Sequence, residues 1–181
     1  MRARPCVRGL ALALAPQPEV GFNTLPIPQI GGPGDAVPLQ VGLVGVEARV
    51  VGDVDLSDLC GGNPPELNLW MRVPGAPPDP LIAQAMLAYC TEPFFVATAL
   101  RPHEGVSQAK SYVTYAPAVT SHGVAFHDRS FRASEWLLFA LSSPHSARGR
   151  VFGRADVYTE SGDLVASAWQ ENLLRPFVAG G

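Results

Sequence analysis

Ser134-Glu135-Trp136-Leu137-Leu138-Phe139, continued by Ala166-Ser167-Ala168-Trp169-Gln170-Glu171-Asn172-Leu173-Leu174-Arg175, is the stretch whose reading decides the fold. The last third of the chain reads as three strands in a row: Trp136 to Ser142, Val151 to Tyr158 and Leu164 to Leu174. Ser161-Gly162-Asp163 supplies a hairpin turn between the last two. The final strand carries a polar pair, Gln170-Glu171, in otherwise apolar surroundings. A buried glutamine is costly unless its amide is hydrogen-bonded, which makes Gln170 a candidate site residue.

Working back from there, Val124 to His127 reads as a further strand, and the charged and polar run Arg101 to Lys110 as a loop. Leu81-Ile82-Ala83-Gln84-Ala85-Met86-Leu87-Ala88-Tyr89-Cys90 is the one long helix. Asp79 caps it and Pro80 takes its first position, while Pro93 disfavours helical geometry at Glu92 and ends it. Being apolar almost all round, this helix is expected to be buried. Leu67 to Val73 and Val46 to Val51 alternate as strands, separated by the Asp-, Gly-, Asn- and Pro-containing loop Asp53 to Pro65. One apolar helix wrapped by a single antiparallel sheet is an α+β arrangement, the hot-dog fold.

Residues 16–40 are dense in proline and glycine, which excludes a helix or a central strand. The organisation expected is therefore an arm or remnant linker over residues 1–40 and a single domain over 41–181. The arm, extended or hugging the surface, is expected to add little to stability. Met1 to Ala15 has basic residues followed by a short apolar run. That pattern fits a signal peptide or, in better agreement with the resemblance given below, the leftover strand of a preceding domain.

Composition narrows the function classes. Charged residues are only 16% of the 181 and the net charge is −3, so no general attraction to nucleic acid or an acidic membrane is expected. Hydrophobic residues reach 47%, which leaves room for apolar surface covered by a second subunit. The three cysteines, Cys6, Cys60 and Cys90, form no C-x-x-C pair, and a reduced cytoplasmic setting is expected, with Cys90 in the core. No run is expected to approach the roughly 20 apolar residues of a membrane span.

The chain has no G-x-S-x-G elbow, no G-x-G-x-x-G and no P-loop. His103, His122, His127 and His145 lack metal-ligand spacing, so no zinc site is expected. His122 and His127, five apart, should face opposite sides of a strand, and His127-Asp128 reads as a structural pair. Glu92 stands at the negative end of the helix, where it is either a solvated helix end or a general base that activates water. Gln170 is either a surface residue on a half-exposed strand or a site residue facing the helix end. Thr120 and Ser121 are hydroxyls that read either as loop polarity or as site groups.

From about Val46 to Pro176 the chain resembles the C-terminal hot-dog domain of the acyl-CoA thioesterase II family. The resemblance rests on Leu69-Trp70-Met71-Arg72, Leu87-Ala88-Tyr89, Phe131-Arg132-Ala133-Ser134-Glu135-Trp136-Leu137-Leu138, Ala147-Arg148-Gly149-Arg150, Leu164-Val165-Ala166-Ser167 and Gln170-Glu171. Leu25-Pro26-Ile27-Pro28 is similar to the linker that joins the two halves of full-length members. The resemblance implies a water held and deprotonated by a carboxylate after the helix, a hydroxyl before the central strand and a glutamine on the last strand. Gln170 matches, and Glu92 stands where the family has an aspartate, one methylene longer. The hydroxyl falls on Thr120 if the chains are aligned without a gap. If they are aligned on His122 and Phe126-His127, Val119 takes its place. The implied function is hydrolysis of acyl-CoA to free acid and CoA, with Glu92 as base and Gln170 and Thr120 holding the water. It needs no metal or organic cofactor, and its partners are the acyl-CoA substrate and a second copy or another hot-dog domain. The alternative is a non-catalytic hot-dog subunit that binds an acyl chain or pairs with a complete partner.

Overall fold

The computed structural model describes residues 22–176. The readings for Met1 to Ala15, and for the first part of the Pro/Gly-rich segment, lie outside the described residues. The described residues form seven strands: β1 (Val37–Leu39), β2 (Glu47–Val50), β3 (Glu66–Arg72), β4 (Tyr115–Phe126), β5 (Leu137–Ala147), β6 (Arg150–Thr159) and β7 (Leu164–Pro176). They make one sheet in the order β1-β2-β3-β5-β6-β7-β4, antiparallel at every pairing. Between β3 and β4 the chain forms two helices, α1 (Pro80–Thr91) and α2 (Phe95–Leu100).

Alternation along the strands splits the apolar residues between two faces. Leu69, Met71, Leu137, Phe139, Val157 and Ala168 join one core with residues of both helices. Trp70, Leu138 and Tyr158 form a second, smaller cluster on the other face. The helix side is therefore the inner face of a curved sheet, as the α+β reading expects. The β5–β6 turn is two residues long, with Arg148 at φ 53° and Gly149 at φ 70°, the left-handed pair that a tight hairpin needs.

The helical segment corrects the expectation of one uniformly buried helix. Asp79 accepts hydrogen bonds from Leu81 N and Ile82 N, so the start is as read. The exposed surface of α1 nevertheless carries Leu81, Ile82 and Tyr89, with only Ala83, Leu87, Cys90 and Thr91 fully buried. The fully buried piece is α2, all six of whose residues are inaccessible and which packs on β3, β5 and β6. Pro93, which has no N–H, interrupts the helical ladder, and the chain re-enters helix at Phe95. Gly153 on β6 makes the close approach possible: a Cβ there would stand 2.6 Å from Phe95 Cδ1. The 21 residues Pro80–Leu100 are together long and apolar enough to pass for a membrane span, which no run was expected to be. Half of that stretch is buried inside the fold, as in a core helix.

The amino-terminal side also departs from expectation. The sheet begins at Val37, ahead of the domain start expected at residue 41, because β1 pairs with β2. Ahead of it, Ile27 and Ile30 pack against the outer cluster, Gly31 O accepts from Trp70 Nε1 at 3.0 Å, and Pro33 O accepts from Arg49 Nη1 at 2.6 Å. Backbone carbonyls of a Pro/Gly-rich stretch need no local periodicity to serve as acceptors. Beside them Arg49 and Arg72 stack on the Trp136 ring, 4.9 and 4.6 Å from its centre, and Arg72 pairs with Glu47.

β4 is three times the length read from Val124 to His127. Pro117 sits within it at the sheet edge, where no partner strand needs its missing N–H. A bulge between Val119 and Ser121 breaks the alternation that would have revealed the strand.

Candidate functional site

The end of α1, strand β4 and strand β7 meet at Gln170. This residue lies on the inner face and is 1% exposed. Its Nε2 stands 3.3 Å from the main-chain carbonyl of Glu92 and 3.2 Å from His122 Nδ1, and its Oε1 accepts from Asn172 Nδ2 at 2.8 Å. A main-chain carbonyl can only accept, so the nitrogen of the Gln170 amide must face Glu92 and the oxygen must face Asn172.

The direction of the whole chain follows from that anchor. Nδ1 of His122 accepts from Gln170, which assigns the ring proton to Nε2. Nε2 lies 3.0 Å from Thr91 Oγ1, and Thr91 donates its own hydrogen to the Ala88 carbonyl at 2.8 Å. Two backbone carbonyls of the helical segment, Ala88 and Glu92, thus orient Thr91, His122, Gln170 and Asn172. Phe95 of α2 meets the His122 ring edge-on, with ring centres 6.0 Å apart. His122 keeps an edge exposed to solvent; partial burial of the ring lowers its pKa from the ordinary value, and the negative charge of Glu92 opposes that shift. Burial also pushes the Cys90 thiol up to about 12, so it stays protonated in the core.

Asn172 is as buried as Gln170, yet among the described residues its Oδ1 has no hydrogen-bond partner. Asn172, Gln170, Glu92 and Val119 line one cleft of about 240 Å³. A buried acceptor left open beside a cleft is ready for a donor from water or ligand. A larger apolar groove of about 640 Å³ adjoins it, sharing Glu92, Pro93 and Gln108. Leu39, Val41, Leu43, Val54 and Leu56 line its far part.

Of the residues singled out by sequence, Glu92 and Gln170 come to the same cleft. The hydrogen bond between them runs through the Glu92 main chain, and the Glu92 side chain is exposed. Thr120 does not join them. It occupies the bulge, is exposed, and donates to the Glu171 carbonyl at 3.1 Å. Ser121 reaches Glu171 Oε2 at 3.2 Å on the outer face. The extra residue at the bulge lets Val119 and His122 both look inward, so the apolar Val119 lines the cleft. His127 lies on the opposite face from His122, 2.9 Å from Ser167 Oγ, which in turn donates to Asp156.

Three residues of the network were missed: Thr91, His122 and Asn172. Asn172 had a signal, being polar at the i+2 position from Gln170 in an apolar strand and so on the same face. His122 had none, since only the bulge shows which way it points. Among the described residues no cluster of three His, Cys, Asp or Glu could hold a metal.

Comparison with known proteins agrees with this geometry. Residues 32–174 match the family model described as acyl-CoA thioesterase C-terminal domain. Acyl-CoA thioesterase 2 of Haemophilus influenzae is 34% identical over 114 residues, covering 62% of this chain and 38% of the relative. Acyl-CoA thioesterase II TesB2 of Mycobacterium marinum superposes with a TM-score of 0.71 at 27% identity, over 89% of this chain and 59% of that one. A hot-dog-fold protein of unknown function from Alicyclobacillus acidocaldarius, 16% identical, superposes with a TM-score of 0.66, over 90% of this chain and 60% of that one, and shares the fold. The chain spans well under two thirds of the length of each of these relatives.

Proposed function

The chain belongs to the acyl-CoA thioesterase C-terminal domain family, and from that premise we propose that it hydrolyses an acyl-CoA thioester to a free acid and CoA. The observation that carries the reading is the meeting of Glu92 and a directionally locked Gln170 on one cleft that opens into an apolar groove.

In this reading a water donates one hydrogen to the Glu92 carboxylate and the other to Gln170 Oε1, which has a lone pair left after accepting from Asn172. The water oxygen then attacks the thioester carbonyl carbon while Glu92 takes its proton. The tetrahedral intermediate collapses by breaking the C–S bond, and the departing thiolate takes the proton back from Glu92. The acyl chain lies in the groove along Leu39, Val41, Leu43, Val54 and Leu56, where each buried methylene adds about 0.8 kcal/mol. Thr120 has no part in this reading, because its hydroxyl is committed to Glu171 outside the cleft. The open Oδ1 of Asn172 is the polar atom nearest in role to the hydroxyl that Val119 does not supply.

Association with a second hot-dog domain, in another copy or another chain, belongs to the same proposal. β4 lies at the end of the sheet, paired only with β7, and exposes Val119 and Phe126. Sedimentation at micromolar concentration tests it: a stable monomer refutes self-association and points to a truncated chain or one paired with a different hot-dog chain.

The test of the activity is hydrolysis of a panel of acyl-CoA esters by purified protein and by Glu92→Gln. Removing the base should cost about 10² to 10⁴ in rate with the fold intact. Equal and near-uncatalysed rates for both would sink the hydrolase reading and leave the binding subunit.

A further inference from the structure

We propose that His122 is a positioning residue for Gln170, holding the amide in its working orientation only while Nδ1 is unprotonated. The proposal rests on the hydrolase reading for its kinetic consequence and on the hydrogen-bond network for its structural one. Gln170 has two amide hydrogens and two acceptors for them, the Glu92 carbonyl at 3.3 Å and His122 Nδ1 at 3.2 Å. Nδ1 is the only one of these acceptors that can change character. A proton on it sets an N–H against the Gln170 NH₂, donor against donor. The amide could answer by turning over, and Asn172, whose Oδ1 is open, could turn with it, but that would still set Gln170 Oε1 against the Glu92 carbonyl oxygen. Neither orientation then satisfies all partners, and a buried polar network that is partly satisfied is costly. On acidification Gln170 loses its fixed direction and the water loses an acceptor.

The surroundings of the ring bear on where this happens. From α1 it meets Thr91, from α2 Phe95, and from β7 Gln170, none of which titrates in the relevant range. Glu92, at the junction of the helices, is the charged group acting on it among the described residues. Partial burial holds the ring neutral to lower pH than an ordinary histidine, with Glu92 working against it. The working state is therefore present at neutral pH and lost as pH falls through the His122 pKa.

The experiment follows the Gln170 side-chain NH₂ and the His122 ring nitrogens by NMR against pH, and kcat/KM over the same range. The Gln170 resonances should move with the ring's own midpoint, the ring should be in the Nε2–H form above it, and kcat/KM should fall about tenfold per pH unit below it. In His122→Asn the amide oxygen can take the place of Nδ1 as an acceptor that does not titrate. That variant should keep a reduced activity that stays flat between about pH 7 and 5.5. His122→Ala, without an acceptor, should be slow at every pH while its melting temperature reports an intact fold. Gln170 resonances that ignore the ring's titration overturn the proposal, whatever the activity. If they follow it while kcat/KM shows no acid limb, the positioning role is also overturned. If they follow it and no hydrolysis occurs at any pH, the hydrolase reading fails and the His122–Gln170 coupling stands.

Discussion

The two faces of the β4–β7 ladder make an instructive pair. On the inner face, Gln170 and Asn172 are each 1% exposed and belong to a directed hydrogen-bond chain. On the outer face, one residue away in sequence, Thr120 and Ser121 also bond to Glu171, but Thr120 and Glu171 stand in solvent and Ser121 is only half-buried. The residue types are alike and the backbone is shared. The inner groups have lost water as an alternative partner, so each must find a specific one, and that fixes their direction. The outer groups exchange freely with solvent, and their contacts define nothing that chemistry could use.

The largest expected effect comes from breaking the inner side. Gln170→Leu should lower kcat/KM by about a hundredfold or more, because the water loses its second contact. It should also cost about 1–3 kcal/mol of stability by orphaning partners in the chain. Glu171→Gln, its outer neighbour, should change the rate less than twofold. Equal losses in a parallel assay of the two would erase the distinction between faces.

Removing residues 22–40 tests whether the outer face is idle throughout. Further along the sheet that face is covered by Ile27 and Ile30, and the deletion also removes β1 and the acceptor of Trp70 Nε1. A loss of about 2–4 kcal/mol in denaturant unfolding is expected. A loss below about 0.5 kcal/mol would show that the segment is the passive arm its composition suggested.

Two glycines sharpen the comparison. On Gly153, facing inward, an added Cβ meets Phe95 of the fully buried α2, and Gly153→Ala should cost about 1–3 kcal/mol. On Gly123, facing outward, the Cβ would stand 2.5 Å from Trp169 Nε1, but that ring is 43% exposed and free to swing away. Gly123→Ala should therefore cost clearly less in thermal melts, and the reverse order would contradict the assignment of faces.

The smallest effect is expected at the bulge. Thr120→Val should leave hydrolysis within twofold and stability within about 0.5 kcal/mol. Val119→Thr, which sets a hydroxyl into the cleft, should alter kcat measurably where Thr120→Val does not. A strong loss in Thr120→Val would restore the ungapped alignment.

Local patterns were enough to determine much of this protein. The three carboxy-terminal strands, their hairpin turn, the Asp79-Pro80 start of α1, the antiparallel α+β class and the candidacy of Gln170 and Glu92 were all legible in the sequence. Each depends on periodicity, capping or turn chemistry within a few residues. What the tertiary structure decided is of another kind. Residues 27–39 join the body by lending backbone carbonyls and packing two isoleucines, which no composition reveals. α2, six residues long and too short to hold alone, depends on packing against distant strands, where Gly153 leaves room for Phe95. The bulge at Thr120 exchanges that hydroxyl for Val119 in the cleft and turns His122 inward to Thr91 and Gln170, residues 31 and 48 positions away. A single inserted residue reverses which face every side chain beyond it occupies, and that choice is made by pairing with β7 and packing against the helices, not by the residues of β4 themselves.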